Sequence, residues 1–89
     1  MSRPLNRAEQ ALARLTGRQR LAVQALCALG QPTLSEIADE MGDDEIRNTR
    51  RAVTALRDLG IAEVASQGGT GGRMTFRLTA AIKLQACAV

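Results

Sequence analysis

The spacing of apolar residues changes about two thirds of the way along the chain, and this change constrains the fold most. Before it, two capping boxes of the Thr-x-x-Gln or Thr-x-x-Glu type, at residues 16–19 and 33–36, each open a segment with apolar residues at helical spacing. After it, residues 61–65 and 73–78 alternate in the manner of strands. They flank residues 66–72, where four of seven residues are glycine. The pattern predicts a mainly α chain with a small β-hairpin.

Helix start and stop signals divide the chain further. Asp43 or Asp44 is predicted to cap the fourth helix, and Thr79 to cap a short C-terminal one. Glycines 30, 42 and 60 are suited to the positions just past helix ends. The predicted helices cover residues 7–15, 16–29, 33–41 and about 44–59, with a short one after Thr79.

Helical periodicity also selects the inward faces. On the fourth helix, the predicted buried stripe is Ile46, Thr49, Val53 and Leu56. On the second helix, it is Leu21, Ala25, Ala28 and Leu29, widened by Val23 and Leu26. In the second strand, Met74, Phe76 and Leu78 are predicted to lie on one face, and Arg73, Thr75 and Arg77 on the other. The predicted core consists of Leu21, Leu26, Leu29, Ile37, Val53, Leu56, Ile61, Phe76 and Leu78.

The composition excludes several classes of protein. The 89 residues suffice for one domain with a modest core, and they contain no His, Trp or Tyr and a single Phe. Without histidine, the usual nucleophilic and His-metal sites are unavailable. With one aromatic residue, a platform that stacks unpaired bases is disfavoured. We therefore expect a binding module rather than an enzyme, with no cofactor, no metal and no small-molecule ligand.

Two cysteines, Cys27 and Cys87, lie far apart in apolar stretches and form no CxxC motif. The favoured interpretation is a pair of reduced thiols in a cytoplasmic protein, and the alternative is a disulfide or a redox sensor. No apolar run reaches the length of a membrane span, and the N-terminus leads into no signal-peptide core. We expect a cytoplasmic protein with no membrane partner.

The charge is segregated along the chain. The net charge is +3, but residues 1–35 carry five arginines against one glutamate, whereas residues 36–45 carry six carboxylates and no base. Residues 46–89 return to seven basic residues against two acidic ones. A basic stripe beside an acidic one is expected to follow from this order.

The order of elements resembles a winged helix-turn-helix domain of the MarR-like or ArsR-like kind found in small bacterial and phage transcription regulators. The residues that carry the resemblance are 34–42, for the first helix of the motif and its turn, and 53–61, for the exit into the wing. The resemblance covers about residues 16–78. It implies a winged helix-turn-helix domain at 16–79, preceded by an N-terminal helix or arm at 1–15 and followed by a short C-terminal helix at 80–89.

The resemblance implies a sequence-specific regulator of transcription that binds double-stranded DNA. The helix at 44–59 would enter the major groove, and a wing at 66–73 would contact the minor groove or the backbone. Arg47, Asn48 and Arg51 would then contact bases, since Arg and Asn read guanine and adenine edges, and Arg50 and Thr54 would contact phosphates. Arg73 and Arg77 would belong to the wing. The plain alternative is a solvated helix face and two ordinary strand arginines.

The acidic residues 43–45 depart from that pattern, because three carboxylates at the start of the fourth helix would repel DNA. The whole acidic run at 36–45 favours a rival interpretation as a winged-helix adaptor that binds other proteins. A replication or partition accessory protein is a further alternative. Apolar residues at the two ends predict a homodimer, the other interpretation being that they cap the core. They are Leu5, Ala8 and Leu12 at one end, and Ile82, Ala86 and Val89 at the other.

Overall fold

The computed structural model describes residues 7–68 and 73–87. Their elements are α1 (Arg7–Leu12), α2 (Gly17–Leu29), α3 (Leu34–Met41), α4 (Ile46–Asp58), β1 (Ala62–Ser66), β2 (Thr75–Leu78) and α5 (Ala80–Cys87). Within these ranges the chain is mainly helical, with one antiparallel two-stranded sheet. This confirms the predicted fold class, mainly α with a small hairpin.

Both predicted capping boxes form. The Thr16 N–H donates to Gln19 Oε1 at 3.3 Å, and the Thr33 N–H donates to Glu36 Oε1 at 2.8 Å. The Thr33 hydroxyl also accepts from the Glu36 N–H at 3.3 Å. Gly42 ends α3 with φ 72°, a left-handed conformation that favours glycine.

Two helix boundaries differ from the prediction. Helix α1 ends at Leu12 rather than near residue 15. Helix α4 begins at Ile46, with Glu45 in the capping position, so the prediction that Asp43 or Asp44 caps it is wrong. Asp43 binds a different set of partners, described below.

Strand β2 of the hairpin is hydrogen-bonded to the segment just before α3. Val64 pairs with Phe76, and a bulge between Val64 and Ser66 shifts the register toward the loop. The Phe76 N–H donates to the Pro32 carbonyl at 2.9 Å, which joins β2 to the segment that precedes α3. The base of the hairpin is therefore held beside the start of α3.

The core lies where α2 packs against α3, α4, α5 and β2. The small side chains of Ala22 and Ala25 are 0% and 1% exposed, and they allow neighbouring elements to approach α2 closely. The predicted core residues that the structure confirms as buried are Leu26, Ile37, Val53, Leu56, Ile61, Phe76 and Leu78. Leu21 and Leu29 were wrongly predicted, since they are 46% and 41% exposed. The buried face of α2 is set by Ala22, Val23, Ala25 and Leu26 because several elements pack there.

Cys27 and Cys87 form a disulfide, with their Cα atoms 5.5 Å apart. The expectation of two reduced thiols is therefore wrong for this structure. The cause is the packing of α5 against α2, which brings together two cysteines separated by 60 residues. Such a long-range pairing leaves no trace in the periodicity of either helix.

The terminal helices contribute to the core. Ala8 and Leu12 of α1 and Ala86 of α5 pack against it, and Ile82 is completely buried, which favours the capping interpretation of these surfaces. Leu5 and Val89, predicted with them, lie outside the described residues. The Gln85 side chain donates to the carboxylate of buried Glu9 at 2.7 Å and thereby joins α5 to α1.

Replacing both cysteines, in the variant Cys27→Ser/Cys87→Ser, should lower the free energy of unfolding by about 2–4 kcal/mol. The reason is that the disulfide closes a loop of 60 residues and restricts the unfolded chain. Urea titration followed by circular dichroism measures the change. Dithiothreitol should shift the wild-type midpoint to that of the variant and leave the variant unchanged. Equal midpoints for the oxidised wild type and the variant would contradict the prediction.

Candidate nucleic-acid interface

Helix α4 presents one buried face and one basic face. Thr49, Ala52, Val53 and Leu56 are buried against the rest of the domain. Ile46, predicted to be in this stripe, is 40% exposed because the buried face is centred further round the helix. The exposed side of the helix, including both flanks, carries four arginines, which are Arg47, Arg50, Arg51 and Arg57. No acidic residue lies between residues 47 and 57, so this side is positively charged over that stretch.

A groove of about 410 Å³ runs along the basic side of α4. Its walls are the start of α3, one flank of α4, and residues 73–76 at the base of the hairpin. Ile46, Val53, Met74 and Phe76 supply apolar surface, and the polar rim consists of Arg50, Thr54, Arg57, Arg73, Thr33 and Ser35. Met74 precedes β2 and is 39% exposed, whereas Phe76 and Leu78, with which it was predicted to share a strand face, are buried.

The three groove arginines, Arg50, Arg57 and Arg73, are exposed. Among the described residues, no carboxylate forms an ion pair with any of them. The pKa of Glu36 is lowered mainly by its hydrogen bonds with Thr33. The positive charge of Arg73 lowers this pKa further, by a smaller amount. Three guanidinium groups with free donors on one rim suit a polyanion whose charges are spaced along a line.

Asn48 and Arg51 lie on the other flank of α4. They line a shallow depression with Thr16, Arg18 and Gln19 at the start of α2. Asn48 is half-buried there, whereas Arg51 is exposed. The sequence prediction grouped Arg47, Asn48 and Arg51 as one base-contacting set, and the structure separates them from the groove that holds Arg50 and Thr54.

Two of the predicted site arginines are already paired. The Arg47 Nε donates to Glu45 Oε2 at 3.0 Å, close to the start of α4. The Arg77 Nε donates at 2.7 Å to Oε2 of Glu63, the residue that lies opposite Arg77 in the hairpin. Arg77 also lines a different depression, beside Leu26 and Lys83, so it does not join the groove arginines.

The acidic residues before α4 are largely neutralised. The Asp43 side chain is only 8% exposed, and it accepts hydrogen bonds from the Thr49 hydroxyl and from the Arg18 guanidinium. Glu45 pairs with Arg47, and Asp44 remains exposed. Two of the three carboxylates expected to repel phosphates therefore have a basic partner, and the repulsion is reduced accordingly.

Sequence reasoning missed the Asp43–Thr49–Arg18 contact, although one signal pointed to it. Thr49 was placed on the buried stripe, and a buried hydroxyl needs a partner. An aspartate six residues earlier, at a helix start, is within reach of such a hydroxyl. The contact joins the turn after α3 to both α2 and α4. It thereby fixes the position of α4, and of its basic side chains, relative to the other two helices.

Comparison of the chain with protein-family models, with curated proteins and with solved structures found no match. Among the described residues, no group of three or more Cys, Asp or Glu side chains is placed to hold a metal ion. None of the described helices has both the length and the hydropathy needed to cross a membrane.

Acidification should weaken the fold through Asp43. Its pKa is held below the ordinary value of 3.8, first by the Thr49 hydroxyl and then by Arg18. A lowered folded-state pKa contributes stability above the unfolded value, and this is lost as the pH falls through the folded value. Asp43→Asn should therefore be less stable than the wild type at pH 7, and the difference should shrink once the pH falls below 3.8.

Urea titrations of both proteins at pH 7, 5 and 3 measure this difference. Asp44→Asn is the matched control, because the Asp44 side chain is exposed at the neighbouring position. A difference between wild type and Asp43→Asn that stays constant from pH 7 to pH 3 would refute the assignment.

Proposed function

We propose that the chain is a sequence-specific regulator of transcription, of the winged helix-turn-helix type, that binds double-stranded DNA. The observation that carries the proposal is the groove between α4 and the hairpin, on whose rim Arg50, Arg57 and Arg73 form no ion pair with any carboxylate of residues 7–68 and 73–87. In this proposal, the outward face of α4 enters the major groove, and Arg50, Arg57 and Thr54 contact the backbone.

The order and linkage of the elements support the same proposal. α3 and α4 are joined by a tight turn at Gly42, and the hairpin follows α4 directly. The bond from Phe76 to Pro32 holds the hairpin base beside α3, which is the placement that a wing needs to flank the bound duplex. Of the predicted wing at 66–73, residues 69–72 lie outside the described residues.

The electrostatics of α4 also support it. A helix that carries an unpaired acidic cluster at its start approaches DNA poorly. Here Asp43 is bound to Thr49 and Arg18, and Glu45 is bound to Arg47. The basic side chains further along α4 then dominate the face that is proposed to meet DNA.

A protein-binding adaptor is the second candidate, and the outer face of α3 favours it. Glu36, Asp39 and Glu40 are exposed at helical spacing on that face, which would suit a basic protein partner. The two candidates differ in their prediction for duplex binding, because an adaptor has no need to neutralise phosphates.

Cytoplasmic localisation and dimerisation belong to the same proposal. Cytoplasmic thiols are kept reduced, so the domain would have to remain folded without the Cys27–Cys87 bond. Buried Ile82 would then anchor α5.

A dimer would bind two half-sites of a DNA sequence, one with each copy of the chain, and sedimentation at several concentrations measures whether the chain self-associates.

Duplex binding by the full chain tests the proposal. Fluorescence anisotropy with a random duplex pool should detect binding at about 50 mM salt, with a steep loss of affinity toward about 200 mM. Selection of bound sequences from the pool should then yield a preferred site. Absence of duplex binding at the lower salt concentration would reject the proposal and favour the adaptor.

Two arginine variants separate base contacts from phosphate contacts. Arg51→Ala should weaken binding to the preferred site by about 1–3 kcal/mol and relax one base position. Arg73→Ala should weaken binding to all duplexes alike and reduce the salt slope by about 1. Anisotropy on the selected and a scrambled duplex measures both effects.

Arg14→Ala is the matched control for these variants, because Arg14 is exposed and lines neither flank of α4. It removes the same charge and should leave the preference for the selected site unchanged. If Arg51→Ala and Arg73→Ala behave like this control, the assigned contacts are wrong.

A further inference from the structure

Two exposed apolar side chains lie in the basic groove. Ile46 and Met74 are 40% and 39% exposed, and both line the groove beside Arg50 and Arg73. Phosphate contacts need no apolar surface, so a purely electrostatic docking face leaves these two residues unexplained.

We propose that Ile46 is a specificity-determining residue that packs against the 5-methyl group of a thymine in the major groove. This inference rests on the proposed function and deepens it, because it names the chemical group that the start of α4 reads. Thymine is the base that presents a methyl group in the major groove, and apolar side chains recognise it by contact.

The position of Ile46 on α4 supports the assignment. Ile46 is the first residue of the helix, and the N-terminal residues of a recognition helix are those that approach base edges. Arg50 follows one turn later on the same flank and lines the same groove, where it can hold the backbone beside the base. Ile46 thus places exposed apolar surface at the end of α4 that is proposed to approach base edges.

The chemistry of the side chain supports it as well. Isoleucine is branched at Cβ, so its χ1 angle is restricted and its methyl groups are held in place before binding. Met74 is unbranched and flexible, and it lies at the hairpin base rather than on the helix proposed to enter the major groove. Ile46 is thus the groove residue suited to discriminate one methyl group.

The experiment removes the methyl group from the DNA. In the selected site, each thymine is replaced in turn by deoxyuridine, which pairs identically but lacks the 5-methyl group. Anisotropy then measures the affinity of the full chain for each duplex. Burial of one methyl group predicts a loss of about three- to fivefold for the wild type at one thymine of the site.

The variant Ile46→Ala should bind the unmodified site more weakly and should lose no further affinity at that thymine. Ile46→Val keeps the branched Cβ and should retain part of the sensitivity. Leu29→Ala is the matched control, since Leu29 is 41% exposed at the far end of α2 and does not line the groove. It should retain the full wild-type sensitivity to deoxyuridine. Because Ile46 is exposed, Ile46→Ala is expected to fold, and circular dichroism checks this.

Failure of the inference and failure of the proposed function give different results. A wild type that binds its selected site but is insensitive to every deoxyuridine replacement overturns the inference alone. Equal sensitivity in the wild type and in Ile46→Ala overturns it too, because the methyl group then contacts another residue. Absence of duplex binding by the wild type overturns the proposed function, and the assignment of Ile46 with it.

Discussion

The contact between Asp43 and Thr49 determines how α4 is presented to its surroundings. Thr49 is completely buried, and its hydroxyl is bonded to a carboxylate that also receives the Arg18 guanidinium. The network joins the turn after α3 to both α2 and α4. It satisfies a buried polar group, orients the basic helix, and removes most of one negative charge from the approach to that helix.

Much of the fold could be predicted from the sequence because its signals are local. Capping boxes at Thr16 and Thr33 and the left-handed glycine at position 42 are short-range features, and each forms where it was predicted. The alternation through Phe76 and Leu78 likewise indicated a strand with one buried face. These signals depend on neighbours within a few residues, so they survive without knowledge of the tertiary structure.

The errors arise where tertiary packing decides the outcome. Leu21 and Leu29 have apolar side chains at helical spacing, but the face of α2 on which other elements pack is formed by Ala22, Val23, Ala25 and Leu26. The Cys27–Cys87 bond spans 60 residues, beyond the reach of any local pattern. For the candidate site, Arg50, Thr54 and Arg73 were named from the sequence and line the groove. Arg47 is paired with Glu45 only two residues away, whereas Arg77 is paired with Glu63, which the hairpin brings near from 14 residues away.

The contact between α1 and α5 has a consequence for where this domain can be labelled or tethered. Gln85 and Glu9 hold the first and last described helices together, and neither helix lines the groove beside α4. The two helices therefore form one surface of the domain that is separate from the groove. A fluorescent label or a surface tether attached to an exposed side chain of either helix would leave the groove open.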